Sequence, residues 1–175
     1  MRTLILDPPS AGLDEVLARR RRSGLDRLDE VWEGVLHMVP APGVAHARIA
    51  QQLAILLDAP ARAAGLMAVM HEFNVGEAEH DYRIPDGGLL HPEATGVWLA
   101  TAALVVEIVS PGDESWEKLP FYAARNVDEV LILDPATRTV HWLALDREQS
   151  AYRVVERSGL IDLTSAALSE RIDWP

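Results

Sequence analysis

Apolar positions recur along this chain with two different periods. In residues 11–22, Leu13, Val16 and Leu17 fall at helical spacing and Ser23-Gly24 closes the run, which predicts a helix. Residues 30–39 alternate loosely and read as a strand broken near Gly34 and ended by Pro40-Ala41-Pro42-Gly43. A long amphipathic helix is expected over 45–64, with Ile49, Leu53, Leu56 and Leu57 on its buried stripe. Strand patterns follow. Residues 66–75 are apolar enough for a core strand, and 80–85 form a second that ends in a Pro85-Asp86-Gly87-Gly88 turn. Residues 102–109 are almost continuously apolar, as a central strand covered on both faces must be. Ser110-Pro111-Gly112 stops that strand, a helix is expected over 114–125, and 128–133 reads as another buried strand. Asp134-Pro135-Ala136-Thr137 turns the chain into a hairpin partner over 139–145, with a last strand at 151–156 and a short helix at 165–170.

The strand–helix–strand unit from 104 to 133 predicts a right-handed parallel crossover, and the hairpins around it make the sheet mixed. The expected class is α/β, one mixed β-sheet flanked by helices. With 175 residues, 49% of them hydrophobic, the chain suits a single domain, with residues 1–24 as an N-terminal helical extension. No apolar run is long enough to span a bilayer. The opening residues meet Asp7 and Pro8-Pro9 too early for a signal peptide. A cytoplasmic protein without membrane association is the expectation. The absence of cysteine excludes disulfides, thiolate metal sites and a cysteine nucleophile.

Charge narrows the function classes. The formal net charge is −11, whereas proteins that hold DNA by bulk electrostatics are basic. Contact with nucleic acid would need a local basic patch or metal ions. The one dense basic run, Arg19 to Arg22, reads as a solvated helix end that complements the macrodipole.

Glu107 is the informative residue, a carboxylate among Leu104, Val105, Val106, Ile108 and Val109. A buried carboxylate has to be paired, protonated or bound to a cation. Alone, it reads as a salt-bridged strand residue. Asp86, otherwise ordinary turn chemistry, sits at the end of a neighbouring strand, and two such carboxylates can converge on one point. Their hard oxygens suit Mg²⁺ or Mn²⁺. Lys118, eleven residues beyond Glu107, lies on the helix leaving the same strand and can drop back toward the strand end. Its plain alternative is a surface lysine paired with Glu114.

Taken in order, Pro85-Asp86, Val106-Glu107-Ile108-Val109-Ser110-Pro111, Lys118, Phe121-Tyr122-Ala123, Asp128-Glu129-Val130 and Leu133-Asp134-Pro135 resemble the Uma-two family. That bacterial group is assigned to the restriction endonucleases, within the PD-(D/E)xK nuclease superfamily. Upstream, Glu30-Val31-Trp32-Glu33-Gly34 is similar to a family segment in which Asp stands at the position of Glu33, and His46 with Ile49 and Leu53 to the start of the family's first long helix. The likeness spans about residues 25–155.

The resemblance implies a restriction-endonuclease-like fold and a metal-dependent DNA endonuclease that hydrolyses phosphodiester bonds. Asp86 and Glu107 would hold the metal, and Lys118 would orient the attacking water or stabilise charge on the phosphorane. The superfamily's usual lysine position, two residues past the glutamate, carries Val109, and the stretch from Glu107 to Lys118 is short for the family. Glu30 and His46 are expected to cap or pack, with a place beside the metal as the alternative. A homodimer follows only by analogy with the fold. Two other readings stay open: a catalytically degenerate module that binds DNA or protein, and a structural domain in which a lysine or arginine lies against Glu107 while Asp86 points elsewhere.

Overall fold

A computed structural model describes residues 12–112 and 114–175. The segment argued above to lack a signal peptide, and Ala11 at the expected start of the first helix, lie outside the described residues.

The near-continuous apolar run forms β8 (Leu104–Ile108), every residue of which is buried. Its alternation sorts the core into two sides. Leu104, Val106 and Ile108 join one cluster with Ile49, Leu53, Leu57 and Ala61 of α2 (Val44–Ala63). Val105 joins the other, with Tyr122 of α3 (Leu119–Ala124) and Val130 and Ile132 of β9 (Glu129–Asp134). Successive side chains on a strand point to opposite faces, so Glu107 faces the α3 side. β8 and β9 pair in parallel, joined through α3, as the crossover pattern predicts.

One mixed sheet was the expectation, but the strands divide between two. The six-stranded sheet runs β11-β10-β9-β8-β6-β3, where β3 is Met67–Val69, β6 Gly87–Leu90, β10 Thr139–Asp146 and β11 Ala151–Val155. The five-stranded sheet runs β2-β1-β5-β4-β7, where β1 is Glu30–Trp32, β2 Val35–His37, β4 Asn74–Ala78, β5 Asp81–Arg83 and β7 Trp98–Leu99. The run expected as one strand over 66–75 is therefore two, β3 and the start of β4, in different sheets. The expected break at Gly34 is the turn between β1 and β2.

The Pro85-Asp86-Gly87-Gly88 turn is corrected as well. Gly87 and Gly88 open β6, and Asp86 immediately precedes that strand instead of lying inside a turn that ends the strand over 80–85. A Cβ on Gly88 would run into the Leu104 carbonyl oxygen, and one on Gly87 would lie 2.6 Å from the Met70 methyl. The glycines thus permit close strand approach, which their turn propensity conceals.

α3 begins five residues later than the helix expected from 114. Pro120 is tolerated only in a first helical turn, and here it fixes where the helix starts. α1 (Leu13–Ser23) and α4 (Ser165–Arg171) complete the helices. The basic run does end α1, but Arg20 is not simply solvated. It pairs with buried Asp29 and donates to the carbonyls of Leu25 at 3.0 Å and Val39 at 2.9 Å. No helix among the described residues is long and apolar enough to cross a membrane.

Candidate functional site: an acidic cleft with a clamped lysine

Five residues singled out in the sequence line one cleft of about 870 Å³: Glu30, His46, Asp86, Glu107 and Lys118. Each arrives by local structure. The Asp86 backbone N–H donates to the Val106 carbonyl at 3.0 Å, extending the β6–β8 pairing by one residue. Asp86 Oδ2 then accepts the Ile108 N–H at 2.7 Å, which fixes the carboxylate beside the end of β8. Its Oδ1 meets His46 Nε2, from the first turn of α2, at 3.1 Å. His46 Nδ1 lies 3.4 Å from Ser110 Oγ, just past β8.

Glu107 is almost fully buried. Lys118 Nζ reaches back from the residue before α3 to within 3.1 and 3.0 Å of its two carboxylate oxygens. Tyr122 donates its hydroxyl to Glu107 Oε1 at 2.5 Å. Lys118 and Tyr122 stand four positions apart, so one helical face presents both. The same ammonium lies 2.9 Å from Glu30 Oε1, and Glu30 also accepts from Trp32 Nε1 and Ile84 N, each at 2.7 Å.

The cluster is short of positive charge. Glu30 and Glu107 contact the one lysine, and the Asp86 carboxylate acts on it from farther off. Burial pushes Glu107 up to about 8; Lys118 and the Tyr122 hydroxyl oppose this, and Asp86 and Glu30 add to it. Burial by itself would lower Lys118, but Glu107, Glu30 and Asp86 outweigh it and hold the ammonium protonated. Burial likewise raises the Tyr122 hydroxyl well above its usual range, so it stays a donor.

Glu30 and His46 therefore do more than the capping or packing expected of them, since both contact the cluster. The lysine against Glu107 is Lys118 itself, while Asp86 remains in the cleft, so the purely structural arrangement envisaged for Glu107 is only half met. Lys118 is not a surface residue on a polar helix face. Tyr122 and Trp32 were quoted as motif residues but not as site residues. The i,i+4 spacing of Lys118 and Tyr122 is the signal that could have found the first.

Among the described residues no three His, Asp or Glu side chains form a ready-made metal cage. The donor chemistry nonetheless fits a hard divalent cation. Mg²⁺ and Mn²⁺ keep several waters and need only one or two protein carboxylates. The cluster also offers more carboxylate than its lysine balances.

A family model described as "Uma2: Putative restriction endonuclease" matches residues 18–170. No curated protein matches the chain. Among solved structures, a "putative nuclease belonging to DUF820" from Anabaena variabilis ATCC 29413 superposes with a TM-score of 0.63. Sequence identity is 17%, over 82% of this chain and 90% of that one, so the likeness is one of fold.

Proposed function

The chain belongs to the Uma2 family, and from that membership and the acidic cleft we propose that it is a Mg²⁺- or Mn²⁺-dependent nuclease that hydrolyses phosphodiester bonds in DNA. The observation that carries the reading is the clustering in one cleft of Asp86 with Glu30 and Glu107, the last two clamped on Lys118. Asp86 and Glu107 would hold the ion. When bound, it would polarise the scissile phosphoryl group and supply a water of lowered pKa. Lys118, kept protonated by its neighbours, places a fixed cation where charge develops on the phosphoryl oxygens. Glu30 and Tyr122 hold that ammonium and Glu107 in place. His46 orients Asp86. Cutting both strands of a duplex takes two such sites, which a homodimer would supply.

The test is nicking of a supercoiled plasmid in Mn²⁺ by wild type, Asp86→Asn and Lys118→Met. Loss of cutting in both variants supports the assignment. Equal rates in all three would place the activity elsewhere. A wild type that binds Mn²⁺ but cuts no DNA would favour a second reading, a catalytically degenerate module that binds DNA or protein. One observation speaks for that reading: Lys118 already occupies both oxygens of Glu107.

A further inference from the structure

A column of stacked groups runs from the core to the cleft. The Arg83 guanidinium carbon lies 4.1 Å from the Phe121 ring centre and 4.3 Å from that of Trp32. The His37 imidazole stacks on Trp32 at 4.1 Å, with 12° between the planes. Two groups this close to the centre of one ring need its opposite faces. The order is therefore Phe121, Arg83, Trp32, His37. Arg83 is buried, whereas His37 stands on the cleft wall. Trp32 covers one face of the imidazole, and Glu114 holds Nδ1 at 2.7 Å. The side chain keeps 17% of its exposure, and it lines the cleft.

The walls restrict what can form the next layer. Among the described residues that line the cleft, Lys118 is the only lysine or arginine, and it is tied down between Glu30 and Glu107. Glu72, Glu114 and Asp134 stand on the walls, amid the apolar surface of Met38, Val39 and Pro40. Away from Lys118, a phosphate on these walls meets carboxylates and no lysine or arginine among the described lining residues. A neutral planar ring suits the same walls. It stacks on the imidazole, extends the column, and can turn N–H edges toward carboxylate oxygens.

We propose that His37 is a stacking platform for one unpaired nucleobase, so that the cleft takes single-stranded or locally unpaired DNA. The inference rests on the nuclease reading and adds its substrate class. Bases within a duplex already stack on both faces, and one must be unstacked before it can lie on the imidazole.

The experiment follows 2-aminopurine placed in a short single strand and in the matching duplex, mixed with protein in Mn²⁺ and read before turnover. Wild type should quench the probe and bind the single strand more tightly than the duplex. Both results are independent of any substitution. His37→Ala should abolish the quench and weaken single-strand binding about tenfold, the effect of a lost base stack of roughly 1.4 kcal/mol. His37→Phe should restore both, because it keeps a ring face while losing the Glu114 bond. The Mn²⁺-induced rise in Tm should be the same in all three, which a general loss of structure would not allow. Equal binding of duplex and single strand, with His37→Ala unchanged, overturns the platform and leaves the nuclease reading standing. Failure of folded His37→Phe to rescue also overturns it. If wild type binds Mn²⁺ but neither form of DNA, both readings fall.

Discussion

Replacing Glu107 with glutamine should stabilise the metal-free protein at pH 8 and leave it nearly unchanged at pH 5. The folded protein holds a proton on Glu107 up to about pH 8, whereas the unfolded chain releases it near 4.5. Between those values the native state binds more protons than the unfolded one, so stability falls as pH rises and the loss is complete above about 8. One pKa unit corresponds to about 1.36 kcal/mol, so the full interval sets an upper bound of about 5 kcal/mol. Below pH 5 the protonated acid is neutral and shaped like glutamine, whose carbonyl can accept from Lys118 and Tyr122. Between about pH 5 and 8 the unfolded wild-type chain ionises while the folded one does not, and above about 8 only wild type carries the extra buried charge. Lys118 adds no slope in this window, because its folded pKa is raised and its contribution is present in full below the unfolded value of 10.5. The assay is urea unfolding in EDTA at pH 5, 6, 7 and 8, with the difference between variant and wild type taken at each pH so that histidines cancel. A difference that grows by several kcal/mol toward pH 8 is the expected result. A constant difference would show that Glu107 is ionised throughout, and the charge argument for a cation site would fail with it.

Mn²⁺ should raise the wild-type Tm, with a stabilisation of about 2.7 kcal/mol at a hundred times Kd, and should leave the Tm of Glu107→Gln unmoved; equal shifts would place the ion elsewhere. Lys118→Met leaves Glu30 and Glu107 buried without their cation and should cost about 3–5 kcal/mol in urea unfolding, keep the Mn²⁺ shift, and lower plasmid nicking by about 10²–10³-fold. Arg83→Met removes a cation lying over two rings and its bonds to the Val31 and Tyr82 carbonyls, at about 2–4 kcal/mol by the same unfolding assay. Glu129 accepts from Trp142, Ser158 and Gly159 away from the cleft, so Glu129→Gln should cost about 1–3 kcal/mol while the Mn²⁺ shift stays at its wild-type size.

Elements with strong periodicity were legible in the sequence. The apolar stripe of α2 and the unbroken runs of β8 and β9 fall where their patterns place them, because burial on one or both faces leaves little freedom in residue choice. Short elements were hidden where two physical demands meet in one residue. Gly87 and Gly88 carry turn chemistry in their composition, yet they serve a crowded strand. Residues 66–75 are mostly apolar, and the one mark of the change of sheet is the exposed pair His71-Glu72 between β3 and β4, which the apolar content of the run outweighs. The site was partly readable for a related reason. A carboxylate inside β8 demands an explanation, and Glu107 announces itself. Trp32 and Arg83 do not, since an aromatic residue in a strand and an arginine before a turn are ordinary until the fold stacks one on the other.

The position of the lysine has a structural consequence. A lysine at position 109 would stand one residue past β8, two residues from Glu107 and on the same face, tied to the sheet by its N–H to the Leu133 carbonyl. Val109 packs there against apolar neighbours instead, and the cation comes from Lys118, where α3 begins. Its placement depends on how α3 docks. Three contacts set that docking on the site side: the Tyr122 hydroxyl on Glu107, the Phe121 ring on Arg83, and Lys118 itself on Glu30 of the five-stranded sheet. Arg83 also bonds the Val31 carbonyl of β1, the strand that carries Glu30 and Trp32. The two sheets and the helix thus converge on one ammonium. A lysine at position 109 would need only the six-stranded sheet to be in place, whereas this cluster is complete only when α3 and both sheets are assembled. The charge balance at the cleft floor is therefore a property of the assembled domain, and a shift of α3 by the length of a hydrogen bond would withdraw the only cation that the described chain offers Glu107.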